Sequence, residues 1–290
     1  METGYIKQVV PLTTDLDKIS DELFKLRTNG GDEYCGQVIK KAVEELEWSK
    51  EKGTYKAIFI AGNEPFSQGG VKYQDSCKEA VTHGIVVNPI FCGGENDGDA
   101  ATWKDGAALA DGAFMSINQN AKVAHIAAPQ DKEIAELGVK MNETYIAYGK
   151  AGKEGVERQA LQEANLHGVA SSQPAAPVER AMSKANGAYQ NAGWDLVDAA
   201  KDGKVQVKDM KEEDLPDNMK KMDTASREKF VAEQQTKRAE IQSQILKLSK
   251  ERDHFLAEAR KTQAGDKTLD QAVIETVHTQ AKNAGMTFEK

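Results

Sequence analysis

The chain has 290 residues, of which 39% are hydrophobic and 6% aromatic, and its formal net charge is −8. That acidity argues against a nucleic-acid partner, which needs a clustered basic surface to neutralise phosphates. It fits an acidic protein able to attract cations. No apolar stretch approaches membrane-spanning length, and METGYIKQVV enters a strand-like run without a signal-peptide pattern. Cys35, Cys77 and Cys92 lack metal-ligand spacing, leaving one disulfide plus a thiol, or three buried thiols, as the options.

The first half alternates strand-like and helical runs. YIKQVVPL (5–12) predicts a strand, with Pro11 favouring an edge or a strand end. Thr14–Leu26 places Leu16, Ile19, Leu23 and Leu26 on one helical face, and Tyr34–Trp48 does the same with Val38, Ile39, Ala42, Val43 and Leu46. AIFIA (57–61) is too short for a helix and lacks polar alternation, which predicts a strand buried on both faces. Asn63 and Glu64 follow it, at the strand end where open α/β sheets carry functional groups. A helix is expected over 73–83, a strand over 85–91, a helix over 102–110 and a last strand over 113–117. Together these imply a helix-covered, mainly parallel α/β sheet, a partial doubly wound fold occupying residues 1–128.

The second domain, 129–290, loses the strand signal. Helices are expected over 131–148, 155–166 and 178–200, with SSQPAAP (171–177) as a linker or turn and Val205–Val207 as a short strand. The stripe Ile134, Leu137, Met141, Tyr145 and Tyr148, and the cluster Trp194, Leu196 and Val197, read as packing faces rather than exposed partner patches. After Leu215-Pro216 a long helix is expected over 224–262. Val231, Ile241, Ile245, Leu248, Phe255 and Ala259 give it a coiled-coil-like seam that Arg238 and Arg252 interrupt. A long amphipathic helix in a hairpin or bundle therefore fits better than a dedicated coiled coil.

Four stretches in order, residues 11–36, KAIFIAGNEPF (56–66), GIVVNPIFCGG (84–94) and DGAALADGAFMSIN (105–118), resemble the second half of a bacterial von Willebrand factor type A domain. The resemblance covers roughly residues 5–120. It implies a Rossmann-like sheet and a protein-binding, adhesion-type role in a periplasmic or secreted protein. In that family a metal-ion-dependent adhesion site holds Mg²⁺ or Mn²⁺ through oxygen ligands at the carboxyl ends of the strands. This chain has no Asp-x-Ser-x-Ser motif after any apolar strand, so it reads as a fragment without the family's first two strands. On the resemblance, the family's Thr ligand falls on Glu33, beside Asp32, and its third-loop Asp on Asn63. Asp32, Glu33 and Asn63 are thus the candidate metal residues of a weak or vestigial site, with Asn63 and Glu64 also readable as plain turn residues. With those strands absent, the inner edge of 57–61 is expected to pair with residues 5–12, to pair with a second chain, or to aggregate.

One alternative is a hydrolytic or thiol enzyme using Cys35 or Glu33 in the same crevice. Cys35 opens a helix, where amide dipoles lower a thiol pKa, but His83, His125, His167, His254 and His278 are scattered and none neighbours it. A buried inert thiol is the simpler reading. FCGGENDGDA (91–100) fails the EF-hand template and reads as a surface loop. GGDEYCG places two acids where a phosphate would bind, which disfavours one.

Overall fold

The computed structural model describes residues 6–27, 31–117, 126–261 and 268–288. In chain order the elements are α1 (Leu16–Lys25), α2 (Cys35–Glu45), β1 (Ala57–Gly62), α3 (Tyr73–Thr82), β2 (Val86–Phe91), α4 (Ala100–Leu109) and β3 (Met115–Ser116). There follow α5 (Asp131–Asn142), α6 (Gly152–Val169), α7 (Ala176–Ala185), α8 (Leu196–Lys201), α9 (Asp217–Lys220), α10 (Thr224–Lys261) and α11 (Leu269–Asn283). Two compact units emerge: residues 1–12, 27–123 and 265–290 form one, and 13–26 with 124–264 the other. A single boundary near 128 lies close to one crossing between them. However, α1 belongs with the helical unit and α11 with the sheet unit.

The sheet unit holds a three-stranded parallel sheet in the order β1-β2-β3. Ile58 and Ile60 pack against a core of Ile39, Val43, Phe66, Cys77, Val87, Phe91 and Trp103. The central strand tolerates Pro89 because of its register. Val86 donates its N–H to Lys56 on the β1 side, so by alternation the missing N–H of Pro89 faces the β3 side. Pairing with β3 begins only at Ile90 opposite Met115. Asn88, fully buried, is satisfied by side-chain chemistry. Its amide exchanges hydrogen bonds with Gln280 of α11 at 3.0 and 2.8 Å, and its Oδ1 also accepts the Ala113 N–H at 2.8 Å. The Tyr55 hydroxyl donates to the same Gln280 at 2.7 Å, which fixes α11 to the sheet.

Three expectations for this unit need correction. Residues 6–12 form bends rather than a strand, with Val9 and Leu12 exposed, and they do not pair with the open edge of β1. β1 is not buried on both faces, because Phe59 and Ala61 are exposed while Ile58 and Ile60 are partly buried. The last strand is only two residues long.

The helical unit is organised by buried charge. Along α10, Val231, Arg238, Ile245 and Arg252 recur at seven-residue spacing and are all buried. The arginines are therefore part of the seam rather than interruptions of it. Arg238 donates to Asp195 at 2.6 Å, to Asp198 at 2.7 Å, and to the hydroxyl and carbonyl of Thr144 at 2.9 and 2.7 Å. Its guanidinium lies 3.9 Å from the Tyr145 ring centre. Arg252 donates to Asp131 at 2.7 Å. A second cluster joins α1, α6 and α7, where Arg180 bonds Asp17 and Glu163, and the Tyr189 hydroxyl donates to Asp17 at 2.6 Å. Lys184, fully buried, donates to Glu163 at 2.9 Å, and burial lowers its pKa.

The helix expected over 178–200 is broken between Ala185 and Leu196, and Asp195 closes the interruption. It bridges to Ala147, accepts the Ile146 N–H at 2.7 Å and caps α8. Val207 opens a 3-10 turn in place of the expected strand. Among the described residues no helix is long and apolar enough to cross a membrane.

Candidate functional site

The carboxyl end of β1 is held by a carboxylate. Glu33 sits just before α2, and its Oε2 accepts N–H bonds from Asn63 at 3.0 Å and Glu64 at 3.1 Å. Gly62 makes this approach possible, since a Cβ there would clash with Glu33 Oε2. Gln68 closes the loop from the other side: its Oε1 accepts the Glu33 N–H at 2.6 Å, and its amide donates to Glu64 Oε2 at 3.4 Å. The fully buried Trp103 of α4 donates its indole N–H to the Glu64 carbonyl at 2.8 Å. Thr102 accepts the Phe66 N–H at 3.0 Å. The turn after β1 is therefore fixed at both ends, while the Asn63 side chain remains in solvent.

Of the three metal candidates, the structure ties Glu33 to the Asn63 backbone. Asp32 is exposed on the same loop, where its Oδ2 accepts from the Tyr34 hydroxyl at 3.1 Å. The donors around Glu33 Oε2 do not suit a hard cation, since two N–H dipoles point at that oxygen with their positive ends. Among the described residues no three His, Cys, Asp or Glu side chains gather as a metal-holding group. Gln68 and Trp103 belong to no chemical motif, so the sequence alone gives no sign of their part in this turn.

All three cysteines are free thiols. Burial and then the Glu33 charge push Cys35 up to about 12. The helix start does not make it reactive, because desolvation and a neighbouring carboxylate outweigh the amide dipoles. Cys77 is likewise pushed up to about 12, by burial and Asp105. The acidic loop after β2 folds on itself, with Asp97 accepting the Gly94 N–H at 2.7 Å. At the opposite, amino ends of the strands lies an open cleft of about 500 Å³ lined by Val43, Leu46, Trp48 and Ile85, with Lys50, Lys56 and His83. Lys56 is engaged there, donating to the His83 carbonyl at 2.5 Å.

Comparison of the chain with family models, curated proteins and solved structures gave no match.

Proposed function

We propose that this chain is a non-enzymatic protein-interaction module in which an internal carboxylate, rather than a bound cation, fixes the partner-binding loop. The observation that carries the reading is the pair of N–H bonds from Asn63 and Glu64 to Glu33 Oε2. A carboxylate fastened to two amides positions the strand-end loop permanently and needs no Mg²⁺ or Mn²⁺ to do so. Preorganisation of this kind lowers the ordering cost of binding. The exposed Asn63 amide is the polar group offered to a partner. At the level of fold, the sheet unit is a divergent relative of the von Willebrand factor type A domain. The alternation of helix and parallel strand, and the convergence of the Glu33 and Asn63 loops at one sheet end, support that relationship. The rival thiol enzyme has against it a Cys35 held protonated at neutral pH by its surroundings.

The test is selection of peptide binders on the immobilised full chain, repeated with Asn63→Arg and in Mg²⁺ or EDTA. Binders retained in EDTA and lost with Asn63→Arg, at unchanged thermal stability, support the reading. Binding that requires Mg²⁺, or that ignores Asn63→Arg, refutes it.

A further inference from the structure

β1 ends the sheet order, so one long side of it has no strand partner among the described residues. Val86 donates to the Lys56 carbonyl and Cys92 to the Gly62 carbonyl. By strand alternation, the backbone groups of Lys56, Ile58, Ile60 and Gly62 face β2, whereas those of Ala57, Phe59 and Ala61 face the open side. The segment AIFIAG carries no charge, and Phe59 is 39% exposed. Free edges of this composition acquire partners.

We propose that the partner is β1 of a second copy of this chain, running antiparallel about a two-fold axis through Phe59. The sequence is self-complementary under that operation. Ala57 falls opposite Ala61 of the second copy, and Phe59 falls opposite itself. The three outward-facing residues then form hydrogen-bonded pairs, each exchanging two N–H···O bonds. Small residues meet small ones, and the two rings meet in a cross-strand aromatic pair.

Charge selects the direction. Lys56 precedes the strand and Glu64 follows it, so an antiparallel partner brings opposite charges toward each other at both ends. A parallel partner would set like against like. The two-fold joins the β1 edge of each copy to that of the other, giving a closed dimer with one continuous sheet rather than an open fibre. This pairing does not depend on what the Asn63 loop binds, and either proposal can fail without the other.

Sedimentation velocity on the full chain tests it, using the wild type, Phe59→Lys, Phe59→Glu and an equimolar mixture of the two variants. The Phe59 side chain is on the exposed face, so circular dichroism should be unchanged in both. The wild type should sediment with twice the mass of one chain. Each variant should fall to the mass of one chain, because a charge at 59 faces itself across the axis. The mixture should recover the doubled mass, because Lys then faces Glu. A monomeric wild type, self-association that survives either substitution, or a mixture that stays monomeric overturns the proposal.

Discussion

Arg238→Met should be among the most destabilising single changes in the helical unit. Arg238 is 4% exposed, and its guanidinium serves two carboxylates, of which Asp195 is fully buried. Removing one side of a buried ion pair costs about 3–5 kcal/mol, because the remaining charge is left uncompensated. Asp195 keeps N–H bonds from Ile146 at 2.7 Å and Asp198 at 3.0 Å, which points to the lower end, about 3 kcal/mol. For a unit of this size that corresponds to a fall in melting temperature on the order of 10 °C. The loss should also depend on pH. Burial already raises the pKa of Asp198 and Arg238 opposes the rise, so the variant raises it further. The folded state then holds a proton that the unfolded state releases, and stability falls as pH climbs from the ordinary Asp range through the raised value. The loss should therefore be larger at neutral than at mildly acidic pH. Urea denaturation followed by fluorescence reads this out, because Trp194 stacks on Tyr145 in the same cluster. Asp195→Asn and Asp198→Asn added together should recover most of the loss. A cost below about 1 kcal/mol, the range of exposed pairs, or one unchanged by pH would refute the reasoning.

Thiol titration of the native chain should modify Cys92 first, with Cys35 and Cys77 reacting only on unfolding; early labelling of Cys35 would contradict its burial. Gln280→Leu removes a partner from the buried Asn88 amide and should cost about 1–3 kcal/mol. Hydrogen exchange should then rise over residues 269–283 and stay unchanged in α3. Gly62→Ala should displace the Glu33 carboxylate and destabilise by about 1–3 kcal/mol. The same substitution in a Glu33→Ala background should cost less, and equal costs in the two backgrounds would argue against the close approach.

Much of the fold was legible because it is local. The helical spacing of α1 and α2 and the uninterrupted runs of β1 and β2 declared themselves within a few residues, although Leu23 and Leu26 of the apolar face expected on α1 are exposed. What failed depended on distant partners. YIKQVVPL has strand composition, yet residues 6–12 do not pair with the open edge of β1, and Val205–Val207 lacks a neighbouring strand among the described residues. Arg238 and Arg252 read as breaks in a seam because their carboxylate partners lie far away in sequence. α11 went unread even though Thr268 and Gln271 have capping-box spacing, and the Gln271 side chain accepts the Thr268 N–H at 3.2 Å. At the candidate site, the resemblance directed attention to Glu33 and Asn63. It offered no sign that their contact is carboxylate to backbone amide, because residue identity does not reveal which backbone groups a distant carboxylate meets.

The Arg252–Asp131 bond has a topological consequence. The stretch 124–264 is inserted between the body of the sheet unit and α11, so α11 docks on the sheet only by closing a loop across the whole insertion. Asp131 lies near the start of that insertion and Arg252 near its end, 2.7 Å apart. Tying them shortens the effective loop roughly sevenfold, which lowers the closure entropy by about 2 kcal/mol. Folding of the inserted helices thus stabilises α11 through chain connectivity.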